Sequence, residues 1–309
     1  MLKQLLEKED IQRFYKDSGK SISQEFLCQG NVKDWKWSFD FTSCIRQIVI
    51  DSLIEKLNLN NCRAIELGCA GGYFLKTLIS YGNIAYGIDL DRNCLQRIAK
   101  NKNLYLCQAD VEKIPFGSNS FDAALFLEVL EHLPSPYSVI VEVGRILKPG
   151  GILVLTTPNL NCIPASYFLN PLKLFVQFLA TWSNELCLPK PLINSWRKQR
   201  FFHTAFSRNE IKNLLKNDFK VKKWTTYGMG GGLVGMLLRL SPSVRKLFKQ
   251  LNDMEQKSGQ GKDYAQLRKK LIHIESKCGK WLGRMNIFLQ KIPLIRLMGT
   301  NHIIVLEKK

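Results

Sequence analysis

Acidic residues are scarce in this chain of 309 residues: 26 Asp and Glu face 45 Lys and Arg, a formal net charge of +19 with the 4 histidines neutral. That excess disfavours cationic partners and favours an anionic membrane surface or nucleic acid, unless the lysines merely solvate the surface. The nine cysteines (28, 44, 62, 69, 94, 107, 162, 187 and 278) are scattered, odd in number and without a C-x-x-C pair. This argues against a disulfide framework and a cysteine-rich zinc site, and fits a reducing compartment. No uninterrupted apolar run reaches the ~18 residues a spanning helix needs. The first ten residues, MLKQLLEKED, are too charged for a signal peptide. A cytoplasmic location is expected, with room for peripheral attachment to a membrane. No internal repeat is found. With 45% hydrophobic residues the chain can bury a sizeable core, which argues against wholesale disorder.

The most telling segment is Ala64-Ile65-Glu66-Leu67-Gly68-Cys69-Ala70-Gly71-Gly72-Tyr73. It reads as an apolar strand ending in a carboxylate, a glycine-rich turn and the start of a helix. Such a turn lets backbone N–H groups approach a ligand closely. The spacing is E-x-G-x-A-x-G, not the G-x-G-x-x-G of dinucleotide folds. Glu66 just before the turn repels a pyrophosphate and attracts an ammonium group. S-adenosylmethionine (SAM) carries such a group and no phosphate.

Further segments follow in order: Tyr86-Gly87-Ile88-Asp89-Leu90-Asp91, then Gln108-Ala109-Asp110-Val111 with Ile114-Pro115-Phe116. Phe121 to Leu127 comes next, followed by Glu128-Val129-Leu130-Glu131-His132-Leu133 and Leu147-Lys148-Pro149-Gly150-Gly151. Together they resemble the class I SAM-dependent methyltransferases, and within them the broad subgroup that includes ubiquinone-biosynthesis O-methyltransferases. The resemblance covers Arg63 to Asn159, with weaker echoes at His203–Phe219 and Gly299–Lys309. Ala70 stands where the family often has glycine. The resemblance implies an α/β fold: a Rossmann-like, seven-stranded, mostly parallel sheet with an antiparallel last strand, helical insertions and an N-terminal cap. The strand–helix alternation from Arg63 to Thr157 independently predicts a parallel sheet covered on both faces.

The organisation expected is an N-terminal cap over residues 1–40, a methyltransferase core over 41–228 with a helical insertion at 160–202, a basic helical insertion over 229–298 and a last sheet strand over 299–309. A helix is predicted over Ile48–Leu57. Ser207-Arg208-Asn209-Glu210 reads as a capping box opening a helix. Leu267, Leu271, Ile274, Cys278, Trp281, Met285 and Phe288 keep a heptad spacing, weakened by Gly279 and Gly283, which predicts an internal helical hairpin.

Roles for single residues follow from the resemblance. Glu66 orients the methionine ammonium of SAM. Gly68, Ala70 and Gly72 let the backbone approach, and Leu127 lies along the methionine arm. Asp89, about 20 residues past the turn, accepts from a ribose diol; its alternative is a helix N-cap. Asp110 accepts from the adenine amino group and the Val111 N–H meets a ring nitrogen; the alternative is a surface turn. Glu128, Glu131 and His132 follow the fourth strand and are the catalytic candidates. With His203 they resemble a divalent-metal site of O-methyltransferases that act on polyprenyl catechols or on the 2′-hydroxyl of RNA. Alternatively His132 is a metal-free base, or the group is structural. Neither an N/D-P-P-Y motif nor a Pro-Cys pair follows the fourth strand, against amino and cytosine-C5 methylation of nucleic acids.

The reading is a SAM-dependent methyltransferase acting on a hydroxyl of a small or lipid-like acceptor, with SAM as cofactor and a divalent metal ion as a second candidate. A metal-dependent RNA 2′-O-methyltransferase and a non-catalytic scaffold of the same fold are the alternatives. The expected partners are the acceptor and an anionic membrane surface, ahead of nucleic acid.

Overall fold

The computed structural model describes residues 42–160, 205–228, 241–243, 246, 247, 250, 262–292 and 299–309. The expected cap at 1–40, most of the insertion at 160–202, and His203 lie outside the described residues.

In chain order the main elements are α1 (Thr42–Lys56), β1 (Arg63–Leu67), α2 (Tyr73–Ser80), β2 (Ile84–Asp89), α3 (Arg92–Gln96), β3 (Leu104–Gln108) and β4 (Phe121–Leu127). A 3-10 turn (Leu130–His132) follows, then α4 (Pro136–Ile146), β5 (Leu147–Pro158), α5 (Arg208–Leu215), β6 (Phe219–Tyr227), α6 (Lys262–Leu289) and β7 (Asn301–Lys308). The strands form one seven-stranded sheet in the order β3-β2-β1-β4-β5-β7-β6. β1 to β5 pair in parallel, and β7 runs antiparallel to both β5 and β6. The strand order reverses between β1 and β4, where α/β sheets of this kind bind ligands beyond the carboxyl ends of the strands.

Alternation along the strands divides the core. In β4, Ala123, Leu125 and Leu127 face the layer of α1 and α2. Phe121, Ala124 and Phe126 face the layer of α4 and α5, with a register shift between Phe121 and Ala123. In β7, Ile303 and Val305 face the first layer, and Ile304 and Leu306 the second. A two-residue period buries both faces, as a sheet covered on both sides requires. The capping box is formed: the Ser207 side chain accepts from the Glu210 N–H, and Glu210 accepts from the Ser207 N–H. In the second layer, Trp224 Nε1 donates to His302 Nδ1 at 3.2 Å, and His302 Nε2 lies 3.2 Å from the Phe206 carbonyl. With Nδ1 an acceptor, Nε2 is the donor, and burial holds this imidazole neutral, its pKa lowered to about 4.

Helix α1 begins at Thr42, earlier than the predicted Ile48, and its extra turn carries Arg46. Helix α6 departs further from expectation. Trp281 and Phe288 of the heptad seam are exposed, whereas Gly279, Leu282, Gly283 and Asn286 are buried. Helix α6 packs on α1. A Cβ on Gly283 would lie 2.8 Å from Ile48 Cδ1 and 2.9 Å from Ile48 Cβ. The glycine that weakens a free helix permits this close crossing, so contact with α1 selects the buried face over the heptad spacing.

Candidate active site

The site forms at the carboxyl edge of β1, β2 and β4. The turn after β1 is stitched to β2: the N–H groups of Gly68 and Cys69 both donate to the Ile88 carbonyl, at 2.8 and 3.0 Å. Gly68, Ala70 and Gly72 all adopt left-handed backbone, with φ of 74°, 41° and 68°. A Cβ on Gly68 would sit 2.6 Å from Val129 Cγ2, so glycine is required there by both conformation and space. Ala70 tolerates the same region with one methyl. Its N–H donates to Asp89 Oδ2 at 2.8 Å, and the Asp91 N–H donates to Asp89 Oδ1 at 2.9 Å. Asp89 therefore locks the turn to the tip of β2. Its oxygens accept the Ala70 and Asp91 N–H groups, with a further contribution from the Leu90 N–H, and a carboxylate has about four acceptor positions. The cap of α3 is Asp91, whose side chain accepts from the Asn93 N–H, so the alternative reading of Asp89 as the N-cap falls to its neighbour.

Glu66 lies on the face of β1 that meets α1 and α2, and is buried. Its Oε2 has no hydrogen-bond partner among the described residues. Burial raises its pKa to about 8; the charge of Arg46 opposes this, that of Asp89 adds to it, and a bond from the Leu75 N–H opposes it. Burial likewise raises the Asp89 pKa, against its backbone hydrogen bonds. Cys69 is buried beside both acids. Desolvation and then the charges of Glu66 and Asp89 hold its thiol protonated, which suits packing and not nucleophilic attack.

β3 brings Asp110 to the same edge. The Ala109 N–H donates to the Asp89 carbonyl at 3.1 Å, and Asp110 Oδ1 accepts from the Glu112 N–H at 2.9 Å. Val111 is buried at 6% exposure, and Leu127 closes β4 at 8%.

The acids after β4 separate into two settings. Glu128 has left-handed backbone at φ 55°, a strained conformation for a residue with a Cβ, held by its surroundings. Its N–H lies 3.1 Å from both the carbonyl and Oγ1 of Thr156. Its Oε1 accepts from Tyr227 Oη at 3.1 Å and its Oε2 from Asn301 Nδ2 at 2.6 Å. Glu131 is buried and accepts from Thr157 Oγ1 at 3.3 Å. Burial and then the Glu128 charge push its pKa well up. His132 Nε2 stands 4.0 Å from Glu131 Oε1, with one-fifth of the His132 side chain exposed.

Glu128, Glu131 and His132 were also expected, with His203, to hold a metal. Among the described residues no group of three His, Cys, Asp or Glu could hold a metal ion. Both Glu128 oxygens already face neutral donors, and His203 lies outside the described residues. The expected metal centre is therefore not carried by the residues described.

Three site residues escaped the sequence reading. Arg46 opposes the raised pKa values of Glu66, Glu131 and Tyr227 alike, and so is the cation common to the acids at this edge. Tyr227 and Asn301 pair with each other across β6 and β7, and both meet Glu128. None stands in a local motif; only the sheet order brings them together.

A methyltransferase domain family model matches residues 65–155. A ubiquinone biosynthesis O-methyltransferase from Coxiella burnetii is 30% identical over 124 residues, 38% of this chain and 52% of the relative. Another from Xanthomonas oryzae pv. oryzae is 32% identical over 132 residues, 40% of this chain and 54% of the relative. The chain thus spans about half the length of the curated relatives it matches. A solved structure from Galdieria sulphuraria, that of a suggested sarcosine dimethylglycine methyltransferase, aligns over 97% of this chain and 98% of its own, with TM-score 0.51 and 14% identity. That likeness concerns the fold. The matched segment runs from within β1 into β5 and includes the glycine turn and the carboxylates just described, so residues 65–155 are similar to a methyltransferase domain.

Proposed function

We propose that the chain transfers a methyl group from SAM to a hydroxyl of a small or lipid-like acceptor. One observation carries this reading. A buried carboxylate with an unpartnered oxygen, Glu66, stands across a left-handed glycine turn from a second carboxylate, Asp89, at the carboxyl edge of a parallel sheet. This arrangement fits a ligand with a cationic amino-acid end and a neutral diol. Glu66 is the partner for the ammonium, and Asp89 has acceptor positions left for ribose hydroxyls. Gly68, Ala70 and Gly72 let the backbone approach, Asp110 and Val111 suit the base, and Leu127 lines the chain between. When bound, SAM supplies a methyl group on a positively charged sulfur.

The chain's own residues must then align the acceptor and take its proton. His132 is the group for that proton. It is partly exposed, follows β4, and stands 4.0 Å from the Glu131 carboxyl. Glu128 acts as a positioning residue: clamped by Tyr227 and Asn301, it fixes the backbone from which the turn carrying Glu131 and His132 departs. The relatives support oxygen as the atom methylated, through their names.

The test is incubation with SAM and a panel of phenolic and polyprenyl-phenolic acceptors, read by mass spectrometry for a gain of about one methylene, with His132→Ala beside the wild type. General-base loss should lower turnover by at least about 100-fold while SAM affinity stays within twofold. Undiminished turnover in His132→Ala would remove His132 from the chemistry, and a panel without any methylated product would count against the acceptor class.

A further inference from the structure

Helix α6 has a second, exposed face that its packing on α1 does not use. Opposite the residues packed on α1, it exposes Lys277, Lys280, Trp281, Arg284 and Phe288, with exposed Lys291 in the turn just after it. At 3.6 residues per turn the five helical residues fall on one stripe roughly 100° wide, with the aromatics along one flank and the cations along the other. Trp281 and Phe288 are the most exposed large hydrophobic side chains among the described residues, at 59% and 62%. They lie seven residues apart, so they project from the same side. No Asp or Glu occurs between residues 276 and 291. The inner face, with Leu282, Gly283 and Asn286, already accounts for the docking of the helix. That packing does not involve the outer aromatics.

We propose that this face of α6 rests on the surface of an anionic lipid bilayer. Trp281 and Phe288 enter the headgroup boundary, where amphipathic and aromatic rings settle. Lys277, Lys280, Arg284 and Lys291 meet anionic headgroups. The charge is complementary, with no acidic residue on the stripe itself. Its shape also favours a membrane: one convex helix face presents a line of side chains to a plane, whereas single-stranded nucleic acid is held in a basic groove that follows its backbone. Helix α1, on which α6 packs, carries Arg46, so the attached face backs the layer that reaches the candidate site. The attachment stands whether or not that site transfers a methyl group.

The experiment is flotation of the full chain with phosphatidylglycerol–phosphatidylcholine vesicles, with pure phosphatidylcholine vesicles for comparison, at moderate salt. Binding to the anionic vesicles only is expected. Lys280→Gln with Arg284→Gln should weaken it about 25-fold, at about fivefold per cation removed near an anionic surface. Trp281→Ser with Phe288→Ser should weaken it at least about tenfold. All six side chains are exposed, so unchanged melting temperatures would establish that the variants fold. A chain that stays soluble beside anionic vesicles overturns the proposal, as do folded variants that float like the wild type. If the same substitutions abolish binding to a single-stranded RNA oligomer and leave flotation intact, the face belongs to nucleic acid and the lipid assignment fails.

Discussion

Substituting Glu66 by Gln tests the electrostatics of the site without changing its shape. In the folded chain burial raises the Glu66 pKa from 4.5 to about 8. Below pH 4.5 the carboxyl is protonated folded and unfolded alike, and the group adds no pH dependence. Between 4.5 and 8 the folded state keeps the proton and the unfolded state has lost it. The folded state then binds more protons, so unfolding free energy falls as pH rises, by about 1.4 kcal/mol per pH unit. Across the whole window the loss approaches about 5 kcal/mol, complete above pH 8. Glutamine does not titrate. The stability of the wild type minus that of Glu66→Gln should therefore decline with that slope from about pH 5 to about 8 and be flat on either side. Asp89 and Glu131 are also raised by burial, but they are present in both proteins and largely cancel in the difference. Urea unfolding at four pH values across the window measures it. With saturating SAM the decline should shrink, because an ammonium beside Glu66 favours the ionised carboxylate. Parallel stability curves for the two proteins would refute the reasoning: Glu66 would then be solvated and not held as a buried acid.

Two further predictions concern the frame around the site. Tyr227→Phe removes the hydroxyl that donates to Glu128 Oε1 in a buried setting. A loss of about 1–2 kcal/mol is expected in thermal unfolding, and an unchanged melting temperature would mean that Asn301 alone holds Glu128. Gly283→Leu puts a side chain where a Cβ already approaches Ile48 within 3 Å. Overpacking should destabilise by about 1–3 kcal/mol and speed proteolysis within α6, whereas wild-type protease resistance would show that the crossing can widen without penalty.

Much of the fold was legible because its signals are local. The E-x-G-x-A-x-G turn, the strand Phe121–Leu127 and the Ser207–Glu210 capping box each lie within about ten residues, and each forms as read. Sheet order followed from the strand–helix alternation and the family resemblance. What the sequence did not disclose depends on distant contact. Arg46 sits two residues before the predicted start of its helix, and its role exists only because α1 packs in the layer beside β1. Asn301 lies 173 residues from the Glu128 it binds. The heptad reading of α6 holds at Ile274, Cys278 and Met285, which pack against the core, and misses at Trp281 and Phe288, because periodicity alone treated glycine as a weakness. The docked face is chosen by how closely Gly283 can approach Ile48. Glu128 and Glu131, three residues apart, were grouped as one polar set, yet the left-handed backbone at Glu128 turns one acid to Tyr227 and Asn301 and the other to Thr157.

The central claim is that Glu66 and Asp89 flank a glycine turn built for SAM. Isothermal titration of the full chain with SAM, in two buffers of different ionisation enthalpy, tests it most directly. At pH 7 the account predicts a single saturable site that releases close to one proton as Glu66 ionises, with Glu66→Gln suppressing the release and Asp89→Ala abolishing the heat. Absence of heat from the wild type, or an isotherm that Asp89→Ala leaves unchanged, would contradict it.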